Sequence, residues 1–385
     1  MKIQTYKKHN SFSAFETKEK DNKSLIIKKI IELKTKKVGL ENLSIDFKKI
    51  LEKVILDLTV EKGDIDNNKI FKLEKNVLAE ISIMDDKDWL RYLVHRYRYE
   101  IYPIINKIDD YPPCLQIEPS SICNYRCVFC FETDKTFTNK KNGHMGTMDI
   151  DLFKKIIDDA ENRIEFITLA SRGEPLVSKR IDEMLNYTKG KFLNLKINTN
   201  ASMLDEKKCH SILSGGVKTI IFSADAADEK LYSELRVNGS LKKVLYNIER
   251  FQKIRETQYP KVKIISRVSG VRVSKEQEFE KMHNFWGGLV DQVAFVDYNP
   301  WENTYLQKPN NIKKPCSDLW RRMFVWWDGK ANPCDTDYKS MLSTGNFKDK
   351  NISDLWNSKN YKDLRFKHLN NLRSQVKPCQ SCTVV

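Results

Sequence analysis

The feature that most constrains the fold is a regular alternation of short apolar runs and amphipathic segments between Pro113 and Pro300. Such alternation is typical of repeated strand–helix units around a parallel sheet, because buried strands and one-sided helices carry these two patterns. Six strands are predicted, at Leu115–Glu118, Phe166–Ala170, Leu193–Asn198, Thr219–Ser223, Lys261–Val268 and Gln292–Val296. Helices such as Asp149–Ala160 and Leu241–Arg255 lie between them. The pattern therefore predicts an α/β fold, a partial (β/α)6 TIM-like barrel whose functional loops follow the strands' carboxyl ends.

The alternation divides the chain into three predicted regions. Residues 1–110 are expected to form a helical N-terminal extension, because apolar residues there follow the 3.6-residue period, after a polar and loose start. Residues 111–300 form the barrel, and residues 301–385 form a small third domain that contains the hairpin candidate MFVWWDGKANPC. The third domain is short and poor in apolar periodicity, so a bound metal centre is expected to stabilise it.

Composition places the chain among ordinary globular proteins, with 40% hydrophobic and 31% charged residues. No signal peptide and no apolar run of roughly 20 residues is present, which predicts a cytoplasmic protein without a membrane partner. The cytosol keeps thiols reduced, so the nine cysteines are interpreted as metal ligands or catalytic groups. The net charge of +15 is spread without a block of consecutive basic residues, which argues against a nucleic-acid partner.

Three cysteines lie close together directly after the first predicted strand. Cys123, Cys127 and Cys130 supply three thiolates on one tight loop. A cubane iron–sulfur cluster has four irons, so one iron would remain open to a small molecule. Structural zinc prefers four ligands, which this loop reaches only with a distant residue such as Cys114 or His144. The loop therefore favours an iron–sulfur cluster.

The spacing C-x3-C-x-aromatic-C after a first strand resembles that of the radical S-adenosylmethionine (SAM) superfamily. The resemblance implies a 4Fe-4S cluster on Cys123, Cys127 and Cys130, whose open iron chelates the amino and carboxylate groups of SAM. It also implies reductive cleavage of SAM to a 5′-deoxyadenosyl radical that abstracts hydrogen from the substrate. An electron donor such as flavodoxin or ferredoxin is then required, and Phe129 is expected near the adenine.

Segments after the later strands match further positions of this family. SRGEP at residues 171–175 resembles its Gly-Gly-Glu-Pro motif, although Arg172 stands where many members have glycine. In isolation Gly-Glu-Pro is an ordinary turn, and Asn or Ser at strand ends are often simple caps. The resemblance implies these SAM-binding residues: Gly173 and Glu174 at the ammonium, Asn200 near the ribose, and Ser223 and Arg236 at the carboxylate.

Four more cysteines lie in the C-terminal region, in the pattern C-x12-G-x4-C followed by C-x2-C. This pattern resembles the SPASM and twitch extensions, which hold auxiliary iron–sulfur clusters behind a radical SAM barrel. A complete SPASM domain has seven cysteines for two clusters, so four cysteines fit the single-cluster twitch form. Zinc also accepts four cysteines and is the alternative at this site. The expected ligands are Cys316, Cys334, Cys379 and Cys382, which gives two 4Fe-4S clusters per chain.

Auxiliary clusters in this family commonly accept an electron from the substrate radical, which suits oxidation of a carbon that bears an alcohol or amine. The first hypothesis is therefore dehydrogenation of a sugar, aminocyclitol or nucleotide-linked carbohydrate. Epimerisation is a rival that needs a hydrogen donor such as a thiol; Cys114 and Cys209 are left over, and both are expected to be buried. Peptide or protein maturation is an alternative from a different class, and tRNA modification ranks below it.

Asp335 follows Cys334 directly and is the candidate catalytic residue. It resembles an aspartate of the related sulfatase-maturing enzymes that adjoins such a cysteine and looks like the catalytic base. Removing a hydroxyl or thiol proton makes a substrate radical a better reductant. The alternative is that Asp335 caps a turn after the hairpin, since aspartate is a favoured capping residue. Asp337, two positions later, is the other candidate for the proton acceptor.

Overall fold

The structure is a computed structural model that describes residues 5–6, 12–19, 22–59 and 69–385. The expectation of a loose start falls mainly on residues 1–4, 7–11 and 20–21, which lie outside the described residues. The strands are β1 (Phe12–Thr17), β2 (Cys114–Ile117), β3 (Arg126–Cys127), β4 (Phe166–Leu169), β5 (Asn194–Thr199), β6 (Thr219–Ser223), β7 (Arg236–Val237), β8 (Ile265–Arg272), β9 (Gln292–Asp297), β10 (Arg322–Val325), β11 (Lys330–Asn332) and β12 (Gly345–Asn346). The helices are α1 (Lys23–Thr35), α2 (Ile45–Thr59), α3 (Lys75–Ser82), α4 (Asp86–Ile105), α5 (Lys135–Thr138), α6 (Ile150–Ala160), α7 (Ile181–Tyr187), α8 (Glu206–Ser214), α9 (Glu229–Leu235), α10 (Leu241–Gln258), α11 (Phe279–Trp286), α12 (Ile352–Trp356) and α13 (Lys359–Leu369).

Six parallel strands in the order β9-β8-β6-β5-β4-β2 form the centre of the molecule. The predicted α/β fold with a mostly parallel sheet is therefore confirmed. Alternate strand residues such as Leu115, Ile167 and Ile220 pack against the apolar faces of α6, α8 and α10 in one large hydrophobic core. The fifth predicted strand is displaced towards the carboxyl end, at Ile265–Arg272, because small residues such as Ser269 and Gly270 continue the pairing.

Segments from outside the barrel region extend this sheet at both edges. β1 pairs antiparallel with β9, so the polar start of the chain contains a strand that the sequence pattern did not predict. On the other side, β10 pairs parallel with β2 and continues through β11 to β12. The predicted hairpin is present, but its first strand belongs to the main sheet. The C-terminal region is thus attached directly to the strand that precedes the first cysteine loop.

The N-terminal helices pack against the amino ends of the strands. Their core includes Cys114, Phe166 and Leu193, which stand at or next to the starts of β2, β4 and β5. The aromatic and basic residues of α4 are mostly buried, which agrees with packing as the role of this segment. No helix in the described ranges is long and apolar enough to cross a bilayer.

Glu80 of α3 connects this helical extension to the barrel. Its carboxylate accepts hydrogen bonds from Lys196 Nζ at 2.5 Å, Asn194 Nδ2 at 2.9 Å and Tyr92 Oη at 2.8 Å. Burial alone would raise the pKa of Glu80, but the charges of Lys196 and Arg96 outweigh burial and lower the pKa to about 2. The carboxylate therefore stays ionised, and a buried polar network fixes the extension in place.

Candidate active site

The structure brings Cys123, Cys127 and Cys130 together on the loop that follows the carboxyl end of β2. The backbone N–H of Cys130 donates to the carbonyl oxygen of Cys127 at 3.0 Å, and that of Tyr125 donates to Cys123 Sγ at 3.4 Å. Within this loop β3 pairs antiparallel with β7, which places Cys127 opposite Arg236. The loop is therefore fixed by backbone bonds on both sides of the thiols.

Burial controls the electrostatics of the three thiols. It raises the pKa of Cys123 to about 12 and also raises the pKa of Cys127. The pKa of Cys130 lies well above its ordinary value because of burial and of the neighbouring Cys127. Thiolates at this depth need a cation to offset their charge, and iron supplies one. The three residues fit the iron–sulfur cluster that their spacing implies.

Gly173 and Glu174 lie against this loop. A Cβ atom on Gly173 would lie 2.4 Å from the carbonyl carbon of Ser121, so only glycine fits here. The carboxylate of Glu174 is buried and accepts hydrogen bonds from Thr199 Oγ1 at 2.7 Å and the backbone N–H of Asn200 at 2.7 Å. Glu174 thus ties the loop after β4 to the end of β5.

Asn200 and Ser223 follow the neighbouring strands. Asn200 Nδ2 donates to Asn124 Oδ1 at 3.0 Å and lies 4.0 Å from Cys123 Sγ, which places this side chain beside the cysteine loop. Ser223 is the last residue of β6, in register with Ser269 of β8. Both residues stand at the carboxyl edge of the sheet, where ligands bind in parallel α/β folds.

Arg236 is buried next to the cysteines and has an acidic partner that sequence reasoning missed. Its Nε lies 2.5 Å from Asp225 Oδ2, and its Nη1 lies 3.8 Å from Cys127 Sγ. Although burial opposes the charge, Asp225 raises the pKa of Arg236 above its ordinary value. The guanidinium also lies 5.8 Å from the ring of Phe129, the residue expected near the adenine. Arg236 therefore lies between Phe129 and Cys127 of the cysteine loop.

The four C-terminal cysteines line one cavity. Apolar side chains and prolines complete its walls, including Leu319, Leu342 and Pro333. Burial raises the pKa of Cys316 to about 12, and burial with two neighbouring cysteines holds the pKa of Cys379 well above its ordinary value. By its chemistry, a set of four soft thiolates suits a 4Fe-4S cluster or zinc. In the described part of the chain, however, no group of three or more cysteine, histidine or acidic side chains is arranged to hold a single metal ion. The lining cysteines are Cys316, Cys334, Cys379 and Cys382.

Arg373 holds the walls of this cavity together and was not identified from the sequence. Its guanidinium donates to the carbonyl oxygens of Cys379 at 3.2 Å, Cys382 at 2.6 Å and Lys314 at 3.0 Å. The neutral ring of His368, whose pKa burial lowers to about 3, accepts a hydrogen bond from the Cys316 N–H at 3.2 Å. A lone arginine and a lone histidine carry no sequence signal for such roles, which depend on the folded geometry.

The two candidate aspartates after Cys334 differ in their surroundings. Asp337 is buried; its carboxylate accepts hydrogen bonds from Tyr305 Oη at 2.7 Å and from the backbone N–H of Leu342 at 2.7 Å, and burial raises its pKa to about 6. Asp335 is half-buried, and its charge acts on the guanidinium of Arg322 at the start of β10. Asp337 is thus committed to local structure. Asp335 is less buried and lies towards the start of β10, where Arg322 is in register with Cys114.

The two remaining cysteines are buried away from the cysteine loop. Cys114 is the first residue of β2, at the amino end of the barrel, and packs in the core of the N-terminal helices. Cys209 lies on α8 within the main core. Both agree with the expectation of small buried apolar residues.

Two family profiles match the chain. The profile of the radical SAM superfamily matches residues 117–285, from the end of β2 into α11. The profile of the SPASM iron–sulfur cluster-binding domain matches residues 316–383, a range that holds all four C-terminal cysteines. Both profiles therefore cover the cysteine groups that the structure gathers at its two sites.

Individual proteins also resemble the chain. It is 25% identical over 317 residues to the tungsten-containing aldehyde ferredoxin oxidoreductase cofactor-modifying protein of Pyrococcus furiosus, spanning 69% of this chain and 86% of that relative. The solved structure of anSMEcpe with bound AdoMet has a TM-score of 0.51 at 15% identity, covering 70% and 88% of the two chains. SuiB of Streptococcus suis, bound to its precursor peptide SuiA, has a TM-score of 0.50 at 19% identity, covering 88% and 82%. The two structural likenesses show a shared fold.

Proposed function

Since this chain is a radical SAM enzyme with a C-terminal SPASM iron–sulfur cluster-binding domain, we propose that it dehydrogenates a sugar, aminocyclitol or nucleotide-linked carbohydrate. The observation that carries the proposal is the cavity lined by four cysteines, on a domain whose first strand pairs directly with β2. This attachment supports the proposal, because it joins the domain that carries the four cysteines to the strand that leads into the first cysteine loop. A two-electron oxidation needs such a second electron acceptor.

We assign two 4Fe-4S clusters and SAM as the cofactors. When bound, they supply a radical that removes one hydrogen atom from the substrate, and a cluster that takes the remaining electron. Asp335 is the proposed acceptor of the hydroxyl or ammonium proton, so that one hydrogen atom, one proton and one electron leave the substrate together. An external donor such as flavodoxin or ferredoxin returns the electron that SAM cleavage consumes.

The positions of the leftover thiols favour dehydrogenation over epimerisation. An epimerase of this type needs a hydrogen donor beside the substrate radical. Cys114 lies at the amino end of the sheet and Cys209 on an outer helix, whereas the SAM-binding loops follow the carboxyl ends of the strands. Neither thiol is therefore placed for donation at the barrel mouth.

The N-terminal region gives little support for peptide maturation. Among its described residues up to 110, one strand occurs, β1, and it belongs to the main sheet. These described residues lack the three-stranded pattern that would favour binding of a leader peptide. The helices of this region instead bury their apolar faces against the amino ends of the barrel strands.

The proposal is tested by anaerobic incubation of the reconstituted enzyme with SAM, reductant and candidate carbohydrates. Formation of 5′-deoxyadenosine should accompany a product that is lighter than the substrate by two hydrogens. A product of unchanged mass that takes up solvent deuterium would point to epimerisation. Turnover of a candidate peptide, with none of the carbohydrates consumed, would support maturation and contradict the proposal.

A further inference from the structure

Arg172 and Glu118 form a buried ion pair at the carboxyl ends of β4 and β2. Arg172 Nη2 donates to Glu118 Oε1 at 2.6 Å and Arg172 Nε donates to Glu118 Oε2 at 2.8 Å. The guanidinium thus binds the carboxylate through two parallel hydrogen bonds. The side chains are 2% and 0% exposed. Arg172 occupies the position where the family motif commonly has glycine, and a glycine could make none of these side-chain contacts.

The pair also contacts two segments of the C-terminal domain. Glu118 Oε1 accepts a hydrogen bond from the backbone N–H of Trp327 at 3.2 Å, at the tip of the β10–β11 hairpin. Arg172 Nη1 donates to the carbonyl oxygen of Tyr338 at 2.8 Å, and the guanidinium stacks 4.2 Å from the centre of the Trp326 ring. The two side chains therefore link the loop after β4 to both ends of the segment that carries Cys334.

On its other side Arg172 is continuous with the SAM-binding loop. Gly173, the next residue, packs against the backbone of residues 120–122, and the N–H of Glu174 donates to the carbonyl oxygen of Ile122 at 3.0 Å. A shift of Arg172 would move both residues relative to the cysteine loop. The position of the C-terminal domain and that of the SAM-binding loop thus depend on one guanidinium.

Stability alone does not explain this arrangement. Two buried charges lose their hydration, and a well-packed apolar pair often serves a core equally well. What a bidentate pair adds is a defined distance and orientation between the groups that it joins. Here the pair joins two loops of the barrel, and each of its two members makes a further hydrogen bond to the C-terminal domain, which would hold the second cluster.

We infer that Arg172 is a positioning residue that, through Glu118, Trp327 and Tyr338, holds the auxiliary-cluster domain and the SAM-binding loop in register. The inference rests on the proposed role of Gly173 and Glu174 in binding SAM. Loss of the pair should loosen the hairpin tip and weaken SAM binding, while the cysteine ligands of both clusters stay in place.

The test compares Arg172→Met, Arg172→Lys and Glu118→Gln with the wild-type holoenzyme. Arg180→Met is the matched control, because Arg180 lies in the same connection between β4 and α7 and forms an exposed ion pair with Glu183 of α7. KM for SAM and kcat are measured from 5′-deoxyadenosine formation with reductant and no substrate, together with iron content. Enzyme labelled with 5-fluorotryptophan reports the hairpin tip through the 19F signal of Trp327, which a Trp327→Phe variant assigns.

Arg172→Met is expected to raise KM for SAM about tenfold, to change kcat by less than about twofold, and to shift or broaden the Trp327 signal. Arg172→Lys keeps the charge but not the paired bonds and should give an intermediate KM, and Glu118→Gln should resemble Arg172→Met. A wild-type KM and an unchanged Trp327 signal in Arg172→Met would overturn the inference. If Arg172→Met loses iron, Arg172→Lys and Glu118→Gln decide the question. A wild-type KM with an unchanged Trp327 signal in both of them, or an equal loss of iron from both, would then overturn the inference.

The two measurements separate this inference from the proposed function. The 19F signal does not depend on SAM cleavage. A wild-type enzyme that forms no 5′-deoxyadenosine would contradict the proposed function, whereas an unmoved Trp327 signal in all three variants contradicts the positioning role.

Discussion

The two cysteine groups differ in their number of thiols and in the residues that surround them. The loop with Cys123, Cys127 and Cys130 offers three thiols. Arg236 of β7 approaches Cys127, and Asn200, directly after β5, approaches Cys123. The C-terminal cavity offers four thiols behind apolar walls and ties its backbone to Arg373. With a 4Fe-4S cluster at each site, as proposed, the first group would leave a coordination position for a small molecule and the second would close its coordination within the protein.

Replacing any cysteine of the first loop by alanine should abolish SAM cleavage, because each change removes one of three protein ligands. Formation of 5′-deoxyadenosine by Cys123→Ala, Cys127→Ala or Cys130→Ala is therefore expected to fall to background. Cys316→Ala and Cys379→Ala should keep measurable cleavage while product is lost. Wild-type amounts of 5′-deoxyadenosine from a variant lacking all three loop cysteines would refute the radical mechanism.

Asp335→Asn should reduce product formation by at least about a hundredfold if Asp335 accepts the substrate proton, with cluster content and SAM binding retained. Asp337→Asn is the comparison: Asp337 is buried and bonded to Tyr305, so this change should lower thermal stability. Normal turnover by Asp335→Asn would show the catalytic assignment to be wrong. Loss of the auxiliary metal from the same variant would favour a structural role.

The cysteines and the loop residues near them could be predicted because their chemistry is local in sequence. Three cysteines within eight residues, or Gly-Glu-Pro after a strand, need no knowledge of distant contacts. Asp225, Glu118 and Arg373 escaped prediction since each acts on a partner in another element, and a charged residue in isolation indicates only a solvated surface. Burial, which gives these charges their roles, becomes visible only in the fold.

Among the elements, the β10–β11 hairpin has a specific backbone requirement in its turn. Gly329 in its turn has a φ of +86°, and a Cβ there would lie 2.6 Å from Asn346 Oδ1. The left-handed conformation costs other residues roughly 1–2 kcal/mol. The glycine in the C-x12-G-x4-C pattern is thus explained by the turn that precedes Cys334, which lines the same cavity as Cys316.

Gly329→Ala should lower the free energy of unfolding by about 2–4 kcal/mol, since the backbone strain adds to the collision with Asn346. Gly143→Ala is the matched control: its φ is +71°, and nothing lies within 4 Å of the added methyl group. The control should cost only about 1–2 kcal/mol. Thermal melting of both holoenzyme variants measures the difference, and equal melting temperatures would contradict the steric explanation.

Element prediction succeeded where strands are buried on both faces and failed at the edge. Five of the six barrel strands begin within one residue of their expected position, because a run such as Thr219–Ser223 is apolar, short and bounded by turns. β1 escaped because its sequence, FSAFET, is polar enough to resemble a loop. Its partner β9 lies far along the chain, and such pairing leaves no trace in a local window.

At the scale of the whole molecule, the number of metal centres is the first quantity to measure. Anaerobic reconstitution should give about eight iron and eight sulfide per chain, four for each cysteine group. About four iron with one zinc would identify the C-terminal site as a zinc site and contradict the electron-acceptor role. A Cys379→Ala variant should halve the iron content of an enzyme that holds two clusters.

The pairing of β10 with β2 also determines the order in which the chain can be completed during synthesis. Arg322 lies opposite Cys114, so β10, the partner strand of β2, leaves the ribosome roughly 200 residues after β2. At ribosomal speeds this delay is about 10 to 40 s, during which one side of the barrel shows unpaired N–H and C=O groups. A nascent chain in this state can pair with a neighbouring copy. Slow translation or loss of the C-terminal domain would therefore favour aggregation, and chaperone supply would limit the yield of folded enzyme.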